Sequence, residues 1–233
     1  MSDRPNLRIG ILGSGRGTNA QTIIEACQRR DIPGQVVLVL SDAPDAMILD
    51  RAKRLDVPAR FIAPGKWKTK LDPAIETEYV NALRDAAVDL VALAGFMRML
   101  KGDFLRAFPN RILNIHPSLL PAFPGLESWR QAFDHGAKVA GCTVHFVNED
   151  MDTGPIILQA AVPVLENDTP EALLETAQHE HVLAHNETIV LRSAREEFGA
   201  NHENQPYEVI AAEVETTESS EKSSEEIQLD IHE

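Results

Sequence analysis

Five short apolar runs punctuate the first half of the chain: LRIGILG (7 to 13), QVVLVLS (35 to 41), ARFI (59 to 62), VDLVALAG (88 to 95) and RILNIH (111 to 116). All are short and most are rich in Val, Ile and Leu, the pattern of a strand covered on both faces. Between them, NAQTIIEACQRR, DAMILDRAKRL and DPAIETEYVNALRDAA carry apolar side chains at a spacing near 3.6 and predict amphipathic helices. Strands and helices in alternation imply right-handed crossovers and parallel pairing. Past residue 116, VAGCTVHFV and GPIILQAAVPV predict two further strands. TPEALLETAQHEHVLAHNETIVLRSAREE predicts a long helix with Thr169 as N-cap and Pro170 at its first position. The expected fold is α/β: one doubly wound, mostly parallel sheet with helices on both faces, in a single domain over residues 1–200. Such a sheet binds ligands at the carboxyl ends of its strands.

Composition adds a tail and removes several functions. The net charge of the 233 residues is −14, and residues 208 to 233, with nine acids and one Lys, supply −8 of it, which leaves −6 for the body. An acidic body argues against nucleic-acid binding, because neutralising phosphates with Lys and Arg dominates that affinity. EVETTESSEKSSEE is almost free of large apolar residues and predicts a disordered acidic tail over 201–233, although the terminal IQLDIHE leaves a docking motif open. No apolar run approaches the roughly 20 residues of a membrane helix, and MSDRPNLRIG lacks the pattern of a signal peptide, so a cytoplasmic location is expected. Cys27 and Cys142 are the only cysteines, which excludes a disulfide framework and a four-cysteine metal site; both read as small buried apolar residues.

Two segments fall at predicted strand ends. GSGRGTN (13 to 19) follows the first strand and opens the first helix, where free backbone N–H groups and the helix dipole attract anions. It approximates the dinucleotide fingerprint G-x-G-x-x-G, with Thr18 where the third Gly belongs. Asp42, just after the second strand, keeps open a ribose contact and with it a dehydrogenase or regulatory module. A tight turn without ligand is the plain alternative. The other segment, NIHPSLLPAFPG, ends a strand in Asn114 and His116 and then places Pro117, Pro121 and Pro124 within eight residues, which demands a fixed irregular loop. Strand alternation points Asn114 and His116 to one side and Ile115 to the other. A strand-end His is often hydrogen-bonded only to backbone, but Asp150 and Asp152 occupy a turn just before a buried strand, and a carboxylate beside an imidazole makes an acid–base pair.

GSGRGTN, VDLVALAGFMRML, RILNIHPSLLPAFPGL and GCTVHFVNEDMDTGPIILQAAVPV, in that order over residues 7 to 185, resemble the glycinamide ribonucleotide formyltransferases of the folate-dependent formyltransferase superfamily. The resemblance implies direct transfer of a formyl group from 10-formyltetrahydrofolate to a primary amine, without a covalent enzyme intermediate or a metal. It implies that Asn114 donates to the developing oxyanion, that His116 stabilises the charge and assists proton transfer, and that Asp152 orients the imidazole and handles protons through water. Gly17, Thr18 and Asn19 would hold the ribonucleotide phosphate and Glu180 the amine end. Met97, Arg98 and Leu100, with Asn148, Glu149, Asp150 and Met151, would receive the pteridine ring. The implied partners are small molecules, a phosphoribosyl amine and a folate, with neither nucleic acid nor membrane, and a homodimer is compatible with them.

The chain departs from that pattern in places. Where the family commonly reads Gly-Leu-His-Thr-His, this chain has Gly125-Leu126-Glu127-Ser128-Trp129, and Ala177 and Ala184-His185 replace polar and aromatic-Pro positions of the last helix. The helix before VDLVALAG lacks an Arg at its start, where the family meets the folate glutamate tail, although Lys66, Lys68 and Lys70 lie nearby. An acceptor such as an amino sugar nucleotide, or water, therefore stays open beside glycinamide ribonucleotide. Trp129 reads as packing, and His179, His181 and His185 as a solvated helix face.

Overall fold

Strand order follows from the connections. The computed structural model describes residues 7–179, and seven strands share one sheet in the order β3-β2-β1-β4-β5-β6-β7. They are β1 (Leu7–Leu12), β2 (Gly34–Ser41), β3 (Ala59–Phe61), β4 (Leu90–Leu93), β5 (Ile112–His116), β6 (Val139–Phe146) and β7 (Ile156–Pro163). The first five pair in parallel, as the alternating pattern requires, while β6 and β7 run antiparallel. The helices are α1 (Thr18–Arg29), α2 (Met47–Arg54), α3 (Pro73–Asp85) and α4 (Gly102–Ala107), which link the parallel strands, α5 (Ser128–Asp134) between β5 and β6, and α6 (Pro170–His179) after β7. The six- and seven-residue helices α4 and α5 are additions to the sequence reading, too short to show a helical period.

Alternation along the buried strands builds a core on each face. Ile9, Ile11, Leu90 and Ala92 pack with Ile23 and Ile24 of α1 and Ile48 and Leu49 of α2. Leu12, Val91 and Leu93 face the other way, onto Tyr79 and Leu83 of α3 and Phe104 of α4. Ile112 of β5 belongs to this second face, so Asn114 and His116, two and four residues on, continue it beyond the helical cover. Cys27 and Cys142 are buried, and desolvation lifts their thiols to about 11 and about 12, as expected of inert core residues. Thr169 caps α6 by accepting from Ala172 N at 3.1 Å, with Pro170 first in the helix. Glu180, His181, His185, the boundary at residue 200 and the acidic segment lie outside the described residues. Among the described residues no helix is long and apolar enough to cross a membrane.

Candidate active site

The order of strand addition reverses between β1 and β4: β2 and β3 extend the sheet to one side of β1, while β4 and β5 extend it to the other. The loops leaving β1 and β4 must therefore diverge, and a cleft of about 700 Å³ opens there. Its walls include residues 15 to 19, 93 to 100, 114 to 117, Gly125 to Glu127, Trp129, His145, Asn148, Asp150, Met151, Asp152 and Leu174. Trp129 is thus a wall of the cleft rather than core packing alone. Of the residues the resemblance assigned, Glu149 does not line the cleft, and its carbonyl instead accepts from Lys101 Nζ at 2.6 Å.

The helix start at residue 17 is built for close approach. Gly17 adopts φ 74°, and a Cβ there would lie 2.6 Å from the Ile48 backbone, so no other residue fits without moving α2. No side chain caps α1 and no acid stands in its first turn, and Thr18 and Asn19 of that first turn line the cleft. Ile48 N donates to Gly15 O at 3.1 Å and Met97 N to Ser14 Oγ at 2.9 Å, fixing the turn against α2 and the β4 loop.

Asp42 is already occupied. Its Oδ2 accepts from Arg98 Nε at 2.6 Å, the acid being 3% and the arginine 18% exposed at the side chain. Arg98 Nη1 also donates to the carbonyls of Trp67, at 2.9 Å, and Lys68. The guanidinium therefore bridges the ends of β2 and β4 and anchors the lysine-bearing loop. The acid on which the dinucleotide reading rested is closed off by an ion pair. Arg98 itself borders the cleft, with its guanidinium bonded to Asp42 and to the loop carbonyls.

At the floor, the antiparallel pairing of β5 with β6 sets Asn114 opposite His145 and His116 opposite Thr143. Four polar side chains thus share one face of two apolar strands. Asn114 Nδ2 donates to His145 Nε2 at 3.1 Å, while His145 Nδ1 donates to the Phe146 carbonyl at 2.9 Å. This pair of bonds defines a neutral ring protonated at Nδ1. Desolvation holds the His145 imidazole below its ordinary value of 6.5, more than its backbone bond and the nearby Asp152 offset, so it is neutral at pH 7. One Asn114 N–H is fixed toward His145 and the other is left for a ligand. His145 was missed from sequence, although Thr143 and His145 repeat the i, i+2 polar spacing of Asn114 and His116.

Asp152 completes the group from a turn at φ 55°. Its Oδ2 accepts from Gly125 N at 2.8 Å and lies 3.4 Å from His116 Nδ1, while Oδ1 lies 3.7 Å from His145 Nε2. His116 Nε2 donates to the Phe123 carbonyl at 3.0 Å. Both imidazole nitrogens of the buried His116 thus meet acceptors, one a carbonyl and one a carboxylate. The proline loop is the frame for this: its Phe123 carbonyl and Gly125 N–H each hold one member of the pair.

A parallel-sheet switch point, an uncapped helix start and an amide–imidazole–carboxylate floor define an α/β enzyme equipped for acyl transfer. The chain belongs to the formyl transferase family, whose signature matches residues 7–189. The phosphoribosylglycinamide formyltransferase of Bacillus subtilis is 40% identical over 178 residues, 76% of this chain and 89% of its own. The solved glycinamide ribonucleotide transformylase 1 of Symbiobacterium toebii superimposes with a TM-score of 0.73 at 52% identity, over 82% of this chain and 86% of that one. The trifunctional purine biosynthetic protein adenosine-3 of Drosophila melanogaster is 43% identical over 170 residues, 72% of this chain, and the chain spans 12% of that protein's length.

Proposed function

We propose that this chain transfers the formyl group of 10-formyltetrahydrofolate to the primary amine of glycinamide ribonucleotide. The observation that carries the reading is the convergence of Asn114, His116 and Asp152 at the floor of a cleft whose other end is the α1 start. Family membership supplies the folate-derived donor and the formyl chemistry. The exposed side chains of Met97, Leu126 and Met151 offer apolar surface to a flat ring at the cleft.

Acyl transfer then proceeds on the chain's own groups. The amine nitrogen attacks the formyl carbon, forming a C–N bond and moving the carbonyl electron pair onto oxygen. Asn114 donates to that oxyanion through the N–H that His145 leaves free, and His116 is assigned by resemblance to stabilise its charge. Asp152 accepts the proton lost by the amine and returns it to the departing folate nitrogen as the old C–N bond breaks. The helix start at Thr18 and Asn19 holds the acceptor's phosphate, and Glu180 is assigned to its amine end by resemblance. Assaying formyl transfer to a panel of amines, each with and without a phosphate, tests the acceptor assignment. Preference for glycinamide ribonucleotide, lost on removing the phosphate, is expected; equal rates on an amino sugar nucleotide, or release of formate without acceptor, would refute it.

A further inference from the structure

One polar rung crosses three strands. His116 of β5 stands opposite Thr143 of β6, and Thr143 stands opposite Gln159 of β7. Only His116 reaches Asp152; the other two members turn to the proline loop. Thr143 is fully buried, and its Oγ1 donates to the Ser118 carbonyl at 2.7 Å while accepting from Leu120 N at 3.0 Å and Gln159 Nε2 at 3.0 Å. A hydroxyl has one donor and two acceptor positions, so all three are used. The second Gln159 amide hydrogen goes to the Leu120 carbonyl at 2.7 Å. Ser118 Oγ then donates to the Ala122 carbonyl at 2.6 Å, carrying the constraint to the residue before Phe123.

We propose that Thr143 and Gln159 are positioning residues that set the orientation and tautomer of His116 through the proline loop. They touch neither the cleft nor the His116 ring's nitrogens. They fix the backbone of residues 118 to 120, the loop delivers the Phe123 carbonyl to His116 Nε2, and that bond turns Nδ1 to Asp152. Replacing Thr143 by Val keeps the shape of the side chain but strands the Leu120 N–H and the Ser118 carbonyl in the interior and releases one Gln159 N–H. The loop must move to rehydrate them, and the Phe123 carbonyl moves with it. The consequence for turnover rests on His116 working in formyl transfer; the tautomer does not.

The test is ¹⁵N NMR of histidine-labelled full chain above the imidazole titration range, beside steady-state kinetics, for wild type, Thr143→Val, Thr143→Ser and Gln159→Met. Wild type should carry the His116 proton on Nε2. Thr143→Val should disperse it over both nitrogens and lower kcat on the order of 10- to 100-fold with KM little changed, and Thr143→Ser should restore both readouts. Gln159→Met, at an exposed position of β7, should act in the same direction and stands in if Thr143→Val does not fold. A His116 tautomer unchanged in the folded variants overturns the proposal whatever kcat does. A dispersed tautomer with wild-type kcat supports it and instead removes His116 from the reaction.

Discussion

Asn114 and His145 face each other across the β5–β6 ladder, and the amide of the first donates to Nε2 of the second at 3.1 Å. The bond requires a neutral imidazole, and burial supplies one. The bond fixes the orientation of the Asn114 amide. His145→Gln retains a side-chain acceptor and should keep more activity than His145→Leu, which strands the amide and should lower kcat on the order of 10²-fold. Equal kcat for the two variants would contradict this role.

The same ring makes stability depend on pH. Its folded-state value lies below the ordinary 6.5, so the unfolded chain binds a proton there that the folded chain refuses. This contribution is fully present above about pH 6.5 and is lost as the pH falls below it toward the lowered folded value. Melting temperature measured from pH 7.5 down to pH 5.5 should fall less steeply for His145→Gln than for wild type. Parallel curves would remove His145 from the acid sensitivity.

The Arg98–Asp42 pair predicts a different kind of loss. Removing one member of a buried pair leaves an unpaired charge, at a cost of about 3–5 kcal/mol. Asp42 Oδ1 already lacks a partner, which sharpens the penalty for Arg98→Met. The double change with Asp42→Asn should recover a large part of that loss in chemical denaturation, because the stranded charge goes too. Additive losses would show that the two side chains do not act as a pair. Since Arg98 also braces the loop at Trp67 and Lys68, Arg98→Met should raise donor KM more than acceptor KM.

Gly17 is a poor probe of phosphate binding. Gly17→Ala forces a side chain onto φ 74° and against Ile48, so it should destabilise the fold before it reports on any ligand. Asn19→Ala removes a side chain from the cleft wall and keeps the backbone. It should raise acceptor KM with donor KM unchanged. A larger effect on the donor would place the phosphate elsewhere.

Much of this could be read in the chain. The strands β1, β2, β4 and β5 announced themselves as runs of Val, Ile and Leu, whereas β3, Ala59–Phe61, is a short and largely exposed strand; Asn114 and His116 fell on one face by alternation alone. Thr143 and His145 carried the same signal inside VAGCTVHFV, but their meaning depends on an antiparallel register that no local pattern states. Arg98 and Asp42 are 56 residues apart and meet only because β1 lies between the strands that carry them. Glu149 differs from its neighbours in a way no local pattern states: Asn148 and Asp150 line the cleft, while the Glu149 carbonyl accepts from Lys101 Nζ.

The central claim is that Asp152, gripped by Gly125 N–H and set between His116 and His145, moves the proton of a formyl transfer. The most direct measurement is kcat for transfer from 10-formyltetrahydrofolate to glycinamide ribonucleotide by wild type and by Asp152→Asn, which keeps size and removes the charge. The account predicts efficient turnover by the wild type and a fall of about 10² to 10⁴ in kcat for the variant, with folding intact. A folded Asp152→Asn protein that turns over at the wild-type rate would contradict it.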